Sequence, residues 1–518
     1  MTQKFSGNGA VALTYRRLDS LPALAWCAEM EISSGKVTVH HGPHVETQPD
    51  FFLDGAWNGD FAEGRLAEAT VVCGTGGYLD ENGVAFVSSS DRLCPVFSIV
   101  RENRVYVSNS HVFALTLSGE KLDACYPFYY YDIVEIYRRG LDAMAGSLPL
   151  EGGVRLGVHF SCILAVGRSG KLEFRALPDN ERPYDYASYH RILSLELNTL
   201  LENAADPHRS APSFGSITPL SQGYDTNATA ALAMKGGCRE AYTFYDPRKE
   251  KEKNDSGLSH AACFGMSCEE LSRFQYRQQP SLNIAEFCLM GLSSQAPLAA
   301  VEHLLPGKIL LNGSGAQLVW SKKQCLVSGD RASMVAPFAS GVGQSEFRLR
   351  VGYVPFSPSQ IGAEHGTDIL KIHKDPEMKQ WSVGGGYDRP IARRIAEEAG
   401  LPRQCFGMTK RGSGHSVLNS VETFSERNHA IYEAFMQKMA ATQPPSLLAR
   451  SRRRTKLRYL FWKCLGTNKR RPRKLNWWSR NLNFIGGTHP LLLPWKYLFS
   501  FHWGVEELKG RYQVARNP

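Results

Sequence analysis

The segment Ser221–Thr226, with the sequence Ser-Gln-Gly-Tyr-Asp-Thr, has the residue types needed to hold a phosphorylated ligand. It follows an apolar run that predicts a strand over 215–220, and it precedes a predicted helix over 228–234. A turn from a strand into a helix gathers backbone N–H groups at a helix N-terminus, where they attract phosphate. The position of the segment therefore predicts an anion site at the carboxyl end of a strand.

The side chains of this segment have complementary chemistry. Ser221 and Thr226 can donate hydroxyl hydrogen bonds to phosphate oxygens, and Gly223 permits a tight turn. Asp225 offers one hard oxygen ligand for Mg²⁺. The alternative is that Asp225, Thr226 and Asn227 serve only as caps of the following helix.

The order of strand, Ser-x-Gly-x-Asp-Thr and helix resembles the pyrophosphate loop of the asparagine synthetase and β-lactam synthetase family, usually Ser-Gly-Gly-x-Asp-Ser. Gln222 replaces the second residue of that loop. The resemblance implies bound ATP and Mg²⁺, with a second strand that lines the adenine pocket and a second glycine loop. The nucleotide-binding residues that it implies are Ser221, Gln222, Gly223, Tyr224, Asp225, Thr226, Thr243, Phe244, Gly313 and Gly315.

The acidic residues of the family are depleted in the second glycine loop. Asn312-Gly313-Ser314-Gly315-Ala316-Gln317 stands where the family has Ser-Gly-Glu-Gly-Ala-Asp. By this match the metal ligands are Asp225 and Gln317, although the amide of Gln317 lacks the charge that binds Mg²⁺ strongly. A further match, Gly407–Gly412, implies that Lys410 is catalytic together with Asp225, because a cation there would stabilise charge on pyrophosphate. A solvated loop lysine is the alternative for Lys410.

The N-terminal half resembles the glutaminase domain of the same family. Ser90–Phe97 and Val105–Ser108 are similar to that domain's Arg-Asp-Arg-x-Gly-x-x-Pro-Leu-Tyr-Tyr and Phe-Ala-Ser-Glu segments. The glutaminase reaction uses a cysteine exposed by removal of Met1, and this sequence has Thr2 there. The resemblance thus implies a degenerate glutaminase-like domain without glutaminase activity.

The pattern of strands and helices changes along the chain. Short apolar runs at 71–73, 84–87, 96–100 and 104–107 predict strands, and a helical apolar stripe predicts a helix over 183–205. Strands then alternate with helices, which indicates a parallel sheet. The expected fold class is α+β and α/β: an Ntn-hydrolase-like αββα sandwich, then a parallel-sheet ATP-pyrophosphatase domain of the adenine nucleotide α-hydrolase-like type. The expected domains are 1–185, 186–430 and a basic extension at 431–518.

Composition and charge bound the function classes. Hydrophobic residues make up 43% and charged residues 21% of the 518 residues, which excludes a disordered or fibrous chain. Much of the net charge of +10 lies in the C-terminal segment, where Arg450–Arg480 holds thirteen Lys or Arg and no acidic residue. Its interleaved aromatic residues suit a polyanion partner. The alternative is that this segment packs on the second domain.

Cysteine usage and hydropathy favour a cytoplasmic protein. The twelve cysteines have no paired spacing that suits zinc, so buried thiols in a reducing compartment are expected. No apolar run has the length of a signal peptide or of a spanning helix.

These features predict an ATP-dependent amide-forming ligase of an amidotransferase-like kind, which adenylates a carboxylate, releases pyrophosphate and transfers the acyl group to ammonia or an amine. The acceptor would be a small molecule or a saccharide such as a uronic acid, in polysaccharide or secondary-metabolite biosynthesis, and the protein a homo-oligomer. The alternative is a catalytically retired relative that binds a nucleotide or a partner.

Overall fold

The computed structural model of the protein describes residues 11–126, 129, 132–133, 136, 146–289, 295–321, 344–385, 387–409, 426–442 and 500–514. The fold is mixed α and β with several sheets, one of them a parallel sheet of five strands. Within these residues, no helix combines the length and apolarity that crossing a bilayer requires.

The first part of the chain forms two large sheets and a short two-stranded ribbon. Its strands are β1 (Leu13–Arg17), β2 (Trp26–Glu31), β3 (Val37–His41), β4 (Glu46–Thr47), β5 (Phe51–Leu53), β6 (Ala56–Trp57), β7 (Val72–Cys73), β8 (Gly76–Asp80), β9 (Gly83–Val87), β10 (Val96–Arg101), β11 (Arg104–Ser108), β12 (Ser147–Pro149), β13 (Arg155–His159), β14 (Cys162–Gly167) and β15 (Leu172–Ala176). The orders are β1-β3-β2-β11-β10-β13-β12 and β15-β14-β9-β8-β5-β4, and β6 pairs with β7.

The two large sheets pack face to face because both present apolar side chains to a shared interior. Trp26 of β2 lies 4.9 Å from Phe52 and 6.0 Å from Phe86 of the other sheet, measured between ring centroids. Helix α1 (His111–Ser118) packs on β10 and β11 of the seven-stranded sheet. The predicted strands at 71–73, 84–87, 96–100 and 104–107 are confirmed as β7, β9, β10 and β11. The turn at Glu102 and Asn103 joins an antiparallel pair, with Glu102 at a φ of 50°.

The second part of the chain builds the parallel sheet, with strands β16 (Gly215–Leu220), β17 (Glu240–Tyr245), β18 (Ser267–Ser272), β19 (Lys308–Leu311) and β20 (Val354–Phe356). Its helices are α2 (Tyr186–Ala204), α3 (Tyr224–Lys235), α4 (Leu258–Cys263), α5 (Ala316–Val319), α6 (Ser345–Val351), α7 (Gly366–Lys374) and α8 (Pro390–Glu398). The predicted helix over 183–205 is α2, and Asp185 caps it by accepting from the Ser188 N–H at 2.7 Å.

Buried polar pairs join the two parts of the chain. Arg348 of α6 donates to Asp54 at 3.1 Å, and both side chains are almost fully buried. Asp54 also accepts from the Thr75 hydroxyl at 2.7 Å and from the Asn109 amide at 2.6 Å. Asn180 donates its side-chain amide to Glu364 at 2.7 Å. The two parts therefore share one continuous packed interface.

The last described residues pack into that interface. Helix α9 (Glu426–Thr442) overlaps the start of the predicted extension 431–518, and helix α10 (Ser500–Leu508) lies within it. Phe501 stacks on buried His111 with ring centroids 5.0 Å apart, and Tyr512 stacks on Phe113 at 5.1 Å. The Tyr512 hydroxyl donates to Glu346 of α6. The basic run Arg450–Arg480 lies outside the described residues.

Candidate functional site

The strand order places the loop after β16 at a topological switch point. The parallel sheet has the order β18-β17-β16-β19-β20, so the chain moves outward from β16 on one side and from β19 on the other. β16 pairs with β17 as far as Leu220, but its pairing with β19 ends at Ile217. Ligands of open α/β sheets bind where neighbouring strands diverge in this way, at their carboxyl ends. The segment Ser221–Thr226 begins at this crevice.

The segment folds as a turn that leads into α3, whose first residue is Tyr224 and whose N-cap is Gly223. The Ser221 hydroxyl lies 2.8 Å from the Thr226 hydroxyl, and it accepts from the Gly223 N–H at 3.1 Å. The two predicted phosphate-binding hydroxyls are thus brought together, beside the start of a twelve-residue helix. Asp225 lies in the first turn of that helix, where its negative charge suits the helix dipole.

Two side chains from other segments lie against this turn. The Gln222 N–H donates to the Asp255 carboxylate at 3.1 Å. The ring of Tyr387 lies 4.9 Å from that of Tyr224, measured between centroids. Burial, reinforced by the nearby Asp225 carboxylate, raises the pKa of Tyr387 to about 12. Two successive N–H groups, those of Gln222 and Gly223, therefore have partners within the protein.

Two buried polar side chains, those of Asn227 and His260, form hydrogen bonds that hold the turn in place. The Asn227 amide donates to the carbonyl oxygens of Ser221 at 2.7 Å and Gly223 at 2.6 Å. The His260 ring nitrogen Nδ1 lies 2.9 Å from the Asn227 side-chain oxygen. Burial lowers the pKa of His260, which favours its neutral form. Asn227, expected at most as a helix cap, instead fixes the shape of the preceding turn.

Tyr224 and Arg393 form part of the core beneath the site. Tyr224 is fully buried, and its hydroxyl accepts from Arg393 at 2.8 Å. Two i,i+4 ion pairs lie on α8, Arg393 with Glu397 at 2.9 Å and Arg394 with Glu398 at 2.7 Å. Arg393 is nevertheless fully buried, because it also packs over the Tyr224 ring.

The second glycine loop contacts the first one. A Cβ on Gly313 would lie 2.8 Å from the Cβ of Asp225, so only glycine allows this approach. Gly315 has a φ of 77°, and a Cβ there would lie 2.7 Å from the Gln360 side chain. Gln317 lies half-buried in α5, four residues after Gly313. Gly313 and Gly315 are thus placed at the crevice, on the β19 side.

The remaining predicted residues have different surroundings. Thr243 is buried at the end of β17, where its hydroxyl donates to the Leu220 carbonyl at 2.8 Å and accepts from the Gly257 N–H at 2.8 Å. Phe244 is half-buried, with its ring 5.5 Å from that of Tyr242. Lys410 lies outside the described residues. Thr243 therefore has a structural role beside the loop, whatever ligand the crevice binds.

Arg389 is another residue of the site that the sequence patterns did not indicate. It immediately precedes α8, and its guanidinium donates to the Asp225 carboxylate. Its side chain is 9% exposed, whereas that of Asp225 is 24% exposed, so the carboxylate still reaches the crevice. The Arg389 Cζ atom lies 5.2 Å from the centre of the Tyr387 ring. Asp225, the predicted metal ligand, therefore already has a cationic partner.

Comparison with known proteins adds no family to this geometry. The sequence matches no protein-family model and no curated protein. Among the residues that the structure describes, no three His, Cys, Asp or Glu side chains come together as a metal site.

Proposed function

We propose that this protein is an ATP-dependent carboxylate–amine ligase similar to the asparagine synthetases and β-lactam synthetases. One observation carries the proposal: the loops Ser221–Thr226 and Asn312–Gly315 meet at the switch point of a parallel sheet. Such a crevice is the usual ligand site of open α/β sheets. The helix that starts in the first loop adds an N-terminal dipole that favours a phosphate group.

The architecture supports a finer proposal for each part of the chain. The two packed sheets with α1 on one outer face are consistent with an Ntn-hydrolase-like αββα sandwich, and the parallel sheet with an ATP-pyrophosphatase domain. The first part would then contribute packing against the parallel-sheet part. Its buried ion pair Asp54–Arg348 suits such a supporting role.

The residues of the crevice fit an adenine nucleotide. Gly313 leaves no side chain between the two loops, and Ser221 and Thr226 offer hydroxyls at the start of α3. In the proposed reaction a carboxylate oxygen attacks the α-phosphorus of ATP and pyrophosphate leaves; an amine nitrogen then attacks the acyl carbon, and AMP and a proton are released. The loop would hold the pyrophosphate, and Lys410 would stabilise its charge. The proposed acceptor is the carboxylate of a small molecule or of a saccharide such as a uronic acid, and the proposed nucleophile is ammonia or an amine.

The two residues expected to ligate Mg²⁺, Asp225 and Gln317, do not suit that ion. Magnesium requires hard oxygen ligands, usually one or two carboxylates besides phosphate oxygens. Asp225 is paired with Arg389, and Gln317 offers a neutral amide. No step of the proposed reaction is therefore assigned to a metal held by Asp225 and Gln317.

A second candidate function is nucleotide binding without turnover. The specific observation in its favour is that Asp255 and Ser221 accept hydrogen bonds from the N–H groups of Gln222 and Gly223. A phosphate group would have to displace these partners or bind beside them. A closed loop of this kind suits a stable binding module as well as it suits an enzyme that opens during its cycle.

Nucleotide binding and pyrophosphate release together test the two functions. The full chain would be titrated with ATP by calorimetry, and pyrophosphate would be measured with panels of uronic acids, amino acids and amines. The ligase predicts saturable binding and release that needs both an acid and an amine. Binding without release across the panel would favour the binding module, and absence of binding would contradict both.

A hydroxyl deletion locates the binding. Replacing Thr226 with Val removes a hydroxyl at the crevice and should weaken ATP binding by about tenfold, the value of a hydrogen bond to a charged group. Thr199→Val in α2 is the matched control, because that hydroxyl donates to the Leu195 carbonyl on an exposed face. Equal affinities for the two variants would place the nucleotide elsewhere.

A further inference from the structure

Arg389 places a positive charge beside Asp225. A phosphate group that binds next to the Asp225 carboxylate needs such a cation, because both groups are negatively charged. Its guanidinium lies against that carboxylate at the start of α3, on the chain segment that also supplies Tyr387. Asp225 is separated from it by 164 residues in sequence, so the contact arises only when α8 packs on α3. The packing of these two helices is among the more extensive in the protein.

The charges around the loop differ from those that a bound divalent metal requires. A metal site gathers several anionic oxygens, and the two residues expected to supply them are a paired Asp225 and a neutral Gln317. The second carboxylate at the loop, Asp255, accepts from the Gln222 backbone. The crevice thus has a fixed cation where the resemblance implies a metal ion.

We propose that Arg389 takes the place of the divalent metal, so that the crevice binds free pyrophosphate or nucleotide phosphates and not their magnesium complexes. This inference rests on the proposed nucleotide function of the crevice. Arginine suits the task because its planar guanidinium presents five donors and can bind a carboxylate and a phosphate together. Asp225 is then the counterion of the guanidinium in the absence of phosphate and not a metal ligand. The specificity of the crevice is for metal-free phosphate groups.

The competing explanation is that the Arg389–Asp225 pair only joins α8 to α3. It predicts that phosphate compounds bind independently of Arg389, or that they bind only with Mg²⁺. The two explanations differ most clearly when the metal is removed, because a guanidinium keeps its charge in EDTA and a metal site loses its cation.

Isothermal titration of the full chain with inorganic pyrophosphate, and separately with ATP, tests the proposal in EDTA and in excess MgCl₂. We expect wild-type dissociation constants that are tighter in EDTA than in excess Mg²⁺, where the ligand is present as its magnesium complex; equal constants would contradict the proposal. Arg389→Gln should weaken binding in EDTA by about tenfold or more, and Arg389→Lys should recover part of the loss. The matched control is Arg394→Gln, since Arg394 lies on the same helix and pairs with Glu398 and Glu377.

Asp225→Asn separates the roles further. If Arg389 is the phosphate ligand, removing its counterion leaves binding in EDTA unchanged or tighter. Loss of binding in Asp225→Asn, with a wild type that requires Mg²⁺, would overturn the inference and leave the proposed function intact. A wild type that binds neither compound under either condition would overturn both. Thermal unfolding of each variant checks that it is folded. If Arg389→Gln does not fold, the affinity of Arg389→Lys for pyrophosphate in EDTA still tests the role of the guanidinium.

Discussion

Two aspartate–arginine pairs in this protein have similar chemistry and different surroundings. In the interface between the two parts of the chain, Asp54 and Arg348 are 0% and 1% exposed, and Asp54 also accepts from Thr75 and Asn109. In the crevice, Asp225 is 24% exposed and Arg389 is 9% exposed. A pair sealed on all sides can only hold structure, whereas a carboxylate that solvent reaches can be approached by other groups. The difference in access identifies which pair is available to a ligand.

The largest expected effect comes from breaking the sealed pair. Asp54→Asn leaves the Arg348 charge buried without a counterion, so we expect the free energy of unfolding to fall by about 3–5 kcal/mol. Urea denaturation followed by circular dichroism measures the change. Asp19→Asn is the control, because Asp19 pairs with Arg17 while 78% exposed. Equal midpoints for the two variants would show that burial does not distinguish these pairs.

A smaller loss is expected when the two loops of the crevice are forced apart. A Cβ on Gly313 would meet the Asp225 Cβ at 2.8 Å and its backbone carbon at 2.9 Å, and backbone atoms cannot move aside cheaply. Gly313→Ala should therefore cost about 1–3 kcal/mol, as overpacking does. Gly167→Ala is the control, since its nearest neighbour would be 4.0 Å away. A Gly313→Ala variant as stable as that control would contradict the contact between the loops.

The interface should also respond to acid through His111. Burial lowers the pKa of His111 to about 3, below the value of about 6.5 in an unfolded chain. Because the folded state binds fewer protons, the stabilisation is present above pH 6.5 and is lost as the pH falls towards 3. Between pH 7 and pH 5 this loss amounts to about 2 kcal/mol.

His111→Phe should remove that acid sensitivity, because phenylalanine can keep the stacking on Phe97 and Phe501 without a titratable group. The measurement is the free energy of unfolding at pH 7 and pH 5 for wild type and variant. His208→Phe, at an exposed position, should retain the wild-type dependence. An unchanged pH dependence in His111→Phe would assign the acid sensitivity to other groups.

Local sequence patterns were sufficient to predict those strands whose own residues form a short apolar run. The strands β9, β10 and β11 follow short apolar runs, and β16 has the bounds predicted for it, 215–220. Helix α3 was expected from residue 228, but it begins at Tyr224. Its first turn is polar, because those residues serve the loop, so apolar periodicity could not reveal it. At the start of α3, the residues are therefore those that the loop requires and not those of an apolar helical stripe.

The partners of the loop could not be predicted in the same way. Asp255, Tyr387 and Arg389 reach Ser221–Thr226 only after the sheet and α8 are assembled. No spacing in the sequence relates Arg389 to Asp225, and nothing local indicates that Arg393 is buried. The strand–turn–helix order around Ser221–Thr226 was therefore predictable from the sequence, whereas the charges around the turn depend on the assembled fold.

The smallest expected effect on stability is that of Asp225→Asn, which is also the most informative for the comparison. Because the side chains of Asp225 and Arg389 are 24% and 9% exposed, against 0% and 1% for Asp54 and Arg348, we expect a smaller loss, of about 1 kcal/mol. Urea denaturation beside Asp54→Asn measures both variants under one condition. A loss as large as that of Asp54→Asn would make the crevice pair a structural link between α3 and α8, and Arg389 would then not be free to bind phosphate.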